Sequence, residues 1–357
     1  MNLIANYIKQ GVLAGNAADR LLAANGDTNV LRPWLGEDGK TYVTHVNNMG
    51  VASAVPLANA HATLRKDDWK LLDDAIVKAA RERLRLVADL RGMGLTFNIP
   101  QGMGKTVLET ETSGDVNDAV ISMDGLRRSV DDRPEFELGM IPLPITHKDF
   151  QFSARNILAS RNGGSPLDTT MAEMSARKVA EGIEMLTLGR AASYTYGGGT
   201  VYGLLNFTGT MAQVLTTPVG AGVGAGATFL TEVMQMRALS VAAFHYGPWM
   251  LYTAPAWDVY LDADFKANSD KTVRQRVKEL NGVTDVRTLD FMQNFDVLLV
   301  QTTTDVVRIV IGMDITTLQW DTEGGMQKNF KVMAIIVPQL RCDFNSRTGI
   351  VLGRVPE

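Results

Sequence analysis

The sequence predicts an α+β fold, and three observations carry that reading. Apolar residues recur at helical spacing in two long stripes, one opening at Asp67 and one at Pro166. A Thr-, Val- and Glu-rich stretch from Lys105 to about Ile145 has the composition of paired strands. Short apolar runs, Trp249-Met250-Leu251-Tyr252, Val297-Leu298-Leu299-Val300 and Val306 to Ile311, have the length and make-up of buried strands. With 357 residues the chain is long enough for one large or two ordinary domains around a sizeable core.

Residues 1 to about 64 carry short apolar patches at Leu21-Leu22 and Trp34-Leu35, interrupted by Gly, Asn and Asp, with no sustained period. This predicts an arm without a core of its own, which lies either on its own domain or on a neighbouring subunit. Asp67 and Asp68 then start a helix, where acidic residues suit the helix dipole. Trp69, Leu72, Ile76, Ala80, Leu84 and Val87 form its apolar stripe, and Gly92 and Gly94 end it. The basic run Arg81 to Arg85 is expected to be a solvated face of that helix.

Thr106 to Thr112 and Glu135 to Leu138 read as two strands of a long excursion, with turn signals at Gly114-Asp115 and Asp124-Gly125 between them. An isolated two-stranded ribbon covers too little apolar surface to stand alone in water, so this one needs a partner surface. Ser165-Pro166-Leu167-Asp168 begins a second helix with a capping serine and a proline at the first helical position. Ala172, Ala176, Val179, Ile183 and Leu186 line its packed side, and Glu173, Arg177 and Glu181 its wet side. Glycine-rich loops are expected at Tyr196 to Gly199 and Gly220 to Gly226, with further helices at about 228 to 243 and 271 to 280. Strands at Phe330 to Val337 and Gly349 to Val355 are expected to close the chain as a hairpin around Asn345 to Thr348.

Composition narrows function. Thirty-five basic and 39 acidic residues give a net charge of -4, which argues against a dedicated nucleic-acid binder, because gripping phosphates requires a basic surface. A container that encloses a polyanion without holding it is compatible with a mildly acidic wall. The single cysteine, Cys342, excludes an intrachain disulfide and suits a reducing cytosol. The start Met1-Asn2-Leu3-Ile4 lacks the pattern of a secretion signal, and no apolar run reaches membrane-spanning length.

Catalytic and ligand motifs fail on inspection. Gly102-Met103-Gly104-Lys105-Thr106 imitates the end of a phosphate-binding loop, but Ile99 stands where the first glycine belongs and a strand, not a helix, follows. Asp115-Val116-Asn117-Asp118 suggests a calcium loop, yet Val120 and Leu126 occupy the glycine and bidentate-acid positions. His45, His61, His147 and His245 lack metal-ligand spacing, and no nucleophile elbow is present. No catalytic, cofactor or metal residue is predicted.

A run of short motifs resembles encapsulins and related phage capsid proteins. These are Trp69 opening a helix, Asn98-Ile99-Pro100-Gln101-Gly102, Ile141-Pro142-Leu143-Pro144-Ile145, Asp149-Phe150, Ser153-Ala154-Arg155, Arg161, Pro166-Leu167-Asp168-Thr169, Val179-Ala180-Glu181 and Gly203-Leu204-Leu205-Asn206, in that order over roughly residues 65 to 206. The resemblance implies the Hong Kong 97-type capsid fold, with an N-terminal arm (1–66), a first helix and connection (67–104) and an E-loop (105–145). A peripheral domain with a long spine helix (146–199), an axial domain (200–315) and peripheral C-terminal strands (316–357) would follow.

It further implies a non-enzymatic major capsid protein, a homo-oligomer of many copies forming an icosahedral shell around double-stranded DNA in a virion, assembled in the host bacterial cytoplasm. Portal, scaffolding or decoration proteins would be its partners, with no cofactor and no membrane. Trp34, Leu35, Glu109, Glu111, Arg127, Arg128, Asp131 and Arg133 are the intersubunit contacts expected on arm and E-loop. Two departures separate the chain from encapsulins: more than sixty residues precede the first helix, and Glu181-Gly182-Ile183-Glu184 lacks their acidic-basic signature. An encapsulin shell around a cargo enzyme, and a soluble α/β enzyme using the glycine-rich loops, remain alternatives.

Overall fold

A computed structural model describes residues 20–21, 26–46, 49–57, 64–113, 121, 123, 136–162, 169–216, 225–266, 270–322, 326–343 and 346–355. The N-terminal part forms a small antiparallel sheet of β1 (Trp34–Leu35), β2 (Thr41–Val46) and β3 (Ala52–Pro56), in that order. Val30, Leu31 and Val43 make a miniature core beneath it. The arm expected to lack a core therefore has one, and its described part folds onto its own chain. Arg32 grips Asp73 with both carboxylate oxygens at 2.7 and 2.6 Å, and the indole N–H of Trp69 donates to the Pro33 carbonyl at 2.9 Å. Strands of two to six residues broken by Gly and Asn leave no period long enough to read.

The first helical stripe is two helices, α1 (Lys66–Arg81) and α2 (Arg85–Gly92). All six predicted stripe residues are buried, so the packed face was read correctly and the continuity was not. The break lies at Leu84, whose ψ of 70° is not helical. The side chain of Asp68 accepts from the Arg65 N–H at 3.0 Å and closes the start of α1. At the basic run, Arg83 and Arg85 reach Asp290 at 3.8 and 3.0 Å, so these side chains join ion pairs instead of standing free.

After α2 come β4 (Thr96–Asn98), the ribbon strands β5 (Val107–Ser113) and β6 (Phe136–Pro142), then β7 (Thr146–Ser153) and α3 (Ala154–Asn162). The long second helix, α4, is described over Thr170–Leu188; its predicted start at Ser165 to Asp168 lies outside the described residues. A hairpin of β8 (Tyr194–Tyr196) and β9 (Gly199–Val201) follows. Gly197 and Gly198 take φ of 60° and 82°, the two-residue turn that such a hairpin needs, so this stretch is a defined turn and not a flexible loop.

The remaining elements are β10 (Met211–Val214), α5 (Ala225–Ala242), β11 (Trp249–Thr253), α6 (Asp258–Leu261), α7 (Val273–Lys278), β12 (Val283–Thr288), β13 (Val297–Gln301), β14 (Val307–Thr322), β15 (Gln327–Leu340) and β16 (Ile350–Arg354). They complete two larger sheets: β10-β16-β13-β11-β12, and β4-β14-β15-β7. The expected C-terminal hairpin is absent, because β15 pairs with β14 and β7 while β16 pairs with β13 and β10. Both strands are buried almost throughout, and strands covered on both faces carry no alternation from which pairing can be read.

Helix α4 packs on β7 and β15, and α1 packs on α4. Phe330 stacks on Phe150 at 5.1 Å between ring centroids, with Trp69 of α1 edge-on at 6.0 Å. The same continuous core runs on into the five-stranded sheet, where every residue of β11 and β13 is buried.

Two of the motif segments have specific mechanical roles. At Asn98 to Gly102, β4 runs parallel to Ile309–Ile311 of β14, and Gly102 lies so close to Gly312 that a Cβ would stand 2.2 Å from its carbonyl oxygen. Gly203 to Asn206 finishes α4: Leu204 and Leu205 N–H groups bond the Thr187 and Leu188 carbonyls at 3.1 and 2.9 Å. There a Cβ on Gly203 would stand 2.1 Å from the Gly189 nitrogen. Gly102→Ala and Gly203→Ala should each destabilise the protomer by about 1–3 kcal/mol through overpacking against backbone. Gly104, with nothing within 4 Å of its would-be Cβ, supplies the comparison. Denaturant midpoints for the three variants check this, and an equal effect in all three would contradict it.

Candidate assembly surfaces

Among the described residues the ribbon β5–β6 pairs with no other strand. Its register sets Glu109 opposite Met140 and Glu111 opposite Leu138. Directly opposed residues lie on one side of an antiparallel pair, so these four share a face. Both glutamates are exposed, and Leu138 and Met140 are 52% and 37% exposed. The opposite face turns Leu108 and Ile141 toward Ile99, Leu143 and Val310, which seats the ribbon's root on the four-stranded sheet. Between ribbon and body lies a cleft of about 630 Å³ lined by Glu111, Leu138 and Met140 on one side and Tyr202, Phe207 and Arg341 on the other.

Trp34 and Leu35 are placed elsewhere, in β1. Trp34 stacks on Tyr42 at 5.2 Å, Lys66 lies 5.9 Å over its ring, and the Leu35 N–H donates to Leu64 O at 2.9 Å. The eight predicted contacts are thus not one constellation: two sit in the small sheet, two on the ribbon, and Arg127, Arg128, Asp131 and Arg133 lie outside the described residues.

A junction that sequence reasoning missed holds the body together. Glu184 on α4 sends its buried carboxylate to the start of α2, accepting from the Leu86 N–H at 2.6 Å and the Val87 N–H at 3.4 Å. It acts as the cap that Leu84 cannot provide. One turn further along α2, Asp89 pairs with Arg287 of β12 and accepts from the Tyr252 hydroxyl of β11 at 3.5 Å. Helix α2 is therefore held by α4 at one end and by the five-stranded sheet at the other. Nearby, Asp296 accepts from Arg190 at 2.8 Å and lies 3.7 Å from Arg354, a second ionic tie between the end of α4 and that sheet.

Burial dominates the electrostatics of the junction. It pushes the Glu184 carboxyl up to about 7, the two amide donors oppose the shift, and the Asp89 charge adds to it. Burial likewise raises Asp89, against the pull of Arg287, and raises the Tyr252 hydroxyl. The only trace in the sequence was an acid at a position facing the packed side of a helix, two residues from Gly182.

Groups of other chemistry are dispersed. Among the described residues no set of three or more His, Cys, Asp or Glu is placed to hold a metal, and no helix is long and apolar enough to cross a membrane. Gly102–Gly104 forms a short 3-10 turn that leads into extended backbone at Lys105, not a phosphate-cradling helix start. His147 Nδ1 lies 3.3 Å from the Ile145 carbonyl, and His45 lies 3.5 Å from Asp27. Cys342 is half-buried, and the calcium-like segment lies outside the described residues.

Comparisons with known proteins agree with this architecture. The family model described as a family of unknown function (DUF6260) matches residues 59–353. The type 1 encapsulin shell protein EncA of Myxococcus xanthus is 26% identical over 204 residues, 56% of this chain and 64% of that protein, so the match spans somewhat under two thirds of the relative's length. A virus-like particle from Pyrococcus furiosus superposes with a TM-score of 0.56 at 18% identity, covering 80% of this chain and 99% of that one. The capsid of Myoviridae phage XM1 gives 0.51 at 12% identity, covering 70% and 84%. At the level of the fold family this is the α+β architecture of Hong Kong 97-type capsid proteins. The sequence match is to a protein named as a shell protein, and these structural matches are to a virus-like particle and a phage capsid.

The junction makes a pH-dependence measurable. In the unfolded chain Glu184 titrates near its ordinary value of 4.5, so between 4.5 and about 7 the folded protein holds a proton that the unfolded chain has lost. Its contribution to stability therefore grows as pH falls from above 7 toward 4.5. Glu184→Gln, an uncharged isostere, should flatten the change in thermal midpoint between pH 8 and 6 relative to the parent. Identical pH profiles for the two proteins would contradict this.

Proposed function

The chain belongs to the family of unknown function DUF6260, and from that membership and the fold we propose that it is a shell subunit, the major capsid protein of a phage-type particle enclosing double-stranded DNA. One observation carries the reading: a two-stranded ribbon with an exposed apolar and acidic face, seated on the body at its root and against the β8–β9 hairpin. Such a ribbon gains further cover from an adjacent subunit.

In this reading residues 105–145 are the E-loop, α4 the spine helix, 200–315 the axial domain, 316–357 the returning peripheral strands, and 1–66 the N-terminal arm. The E-loop reaches onto neighbouring copies through Glu109, Glu111, Arg127, Arg128, Asp131 and Arg133, and Trp34 and Leu35, folded into the small sheet of their own chain, meet a neighbour with the edges they leave exposed. Stability comes from many modest interfaces multiplied by symmetry. A net charge of -4 suits a wall that surrounds a polyanion without binding it. Assembly in a bacterial cytoplasm, with portal, scaffolding or decoration proteins as partners, belongs to the same proposal.

A second reading, an encapsulin-type compartment around a guest protein, is favoured by the sequence match to EncA. The small sheet laid over α1 speaks for the phage-type reading, because it occupies surface beside the first helix. Electron microscopy of the purified product, with its nucleic-acid and protein content measured, tests both. Closed shells containing double-stranded DNA are expected. Nucleic-acid-free shells with a protein guest would replace the first reading with the second, and a species that stays small under every assembly condition would end both.

A further inference from the structure

Helix α5 ends in a turn that backbone hydrogen bonds close fully: Phe244 N–H to Val241 O at 3.0 Å, and His245 N–H to Ser240 O at 3.0 Å. The turn requires a left-handed residue, and Phe244 supplies it with φ of 63°. A bulky side chain is costly there, whereas glycine takes this conformation freely. The aromatic ring does not recover that cost by burial within the protomer, since Phe244 is 69% exposed. Tyr246, two residues on, is 68% exposed, and the Arg347 guanidinium lies 5.9 Å from the centre of the Phe244 ring. A strained backbone position occupied by a large exposed ring, flanked by a second ring and a cation, has the make-up of an interface anchor.

We infer that the Phe244–Tyr246 turn is a contact between copies of this chain, receiving the Glu109, Glu111, Leu138 and Met140 face of a second copy's ribbon. The two surfaces are chemical complements. One carries rings and a cation; the other carries an exposed leucine and methionine beside two carboxylates. Both stay exposed in the same protomer, so pairing them between copies joins unlike patches head to tail, a geometry that gives rings where the rotation closes and open filaments where it does not. A foreign partner would have to reproduce the ribbon's chemistry, which the chain already presents. The inference rests on the self-assembly proposed above and specifies its residues.

The full-length chain tests it, with assembly followed by light scattering on a sizing column and by negative-stain microscopy. Phe244→Gly relieves the backbone while deleting the ring, so the protomer's thermal midpoint should hold or rise while assembled yield falls at least tenfold. Tyr246→Ser should lower yield with an unchanged midpoint, which guards against a folding defect in the first variant. Arg347→Glu should abolish assembly, and combining it with Glu109→Lys and Glu111→Lys should restore it. Normal assembly of Phe244→Gly, or a fall in its protomer midpoint, would overturn the inference, and failure of the charge exchange would overturn the choice of ribbon. Failure of the parent protein to assemble at all would instead remove the proposed function.

Discussion

Helix α2 has only eight residues, too few to be stable alone, and the Glu184 carboxylate at its first amides fixes where it begins. That contact sets more than one helix. Because Asp89 on the same short helix engages Tyr252 and Arg287, the placement of α2 links α4 to the sheet that contains β11 and β12. Without a cap at Glu184, two buried N–H groups would lose their acceptor, a loss comparable to breaking buried hydrogen bonds outright. The remaining ties between the halves, Asp296 with Arg190 and Arg354 and the shared apolar core, act on a geometry that this carboxylate has already set.

Sequence pattern was most informative where one face of an element meets water. The stripe from Trp69 to Val87 and that from Ala172 to Leu186 are half solvated, and their buried positions could be read directly. It was weakest where both faces are covered: β15 and β16 looked like neighbours because neither shows alternation, and they lie in different sheets. The break at Leu84 left no mark either, because the stripe continues through it and the residue responsible sits about a hundred positions away.

The candidate site was legible only in part. Composition located the ribbon and its glutamates, while the apolar residues opposite them depend on a cross-strand register that the sequence does not state. The small N-terminal sheet escaped because its strands are short and its core consists of three residues. Several short motifs now have physical reasons: Gly102 permits β4 to lie against β14, and Gly203 with its neighbours terminates α4. Such positions tolerate little change.

The placement of β16 has a consequence for how the protein is made. It lies between β10 and β13, so residues 350–354, which follow both of those strands in the chain, fill the second position of a five-stranded sheet. Until they emerge, β10 has no strand to pair with and β13 has one open edge. A chain without residues 350–354 would carry an unfinished sheet, its unpaired strand edges open to wrong partners.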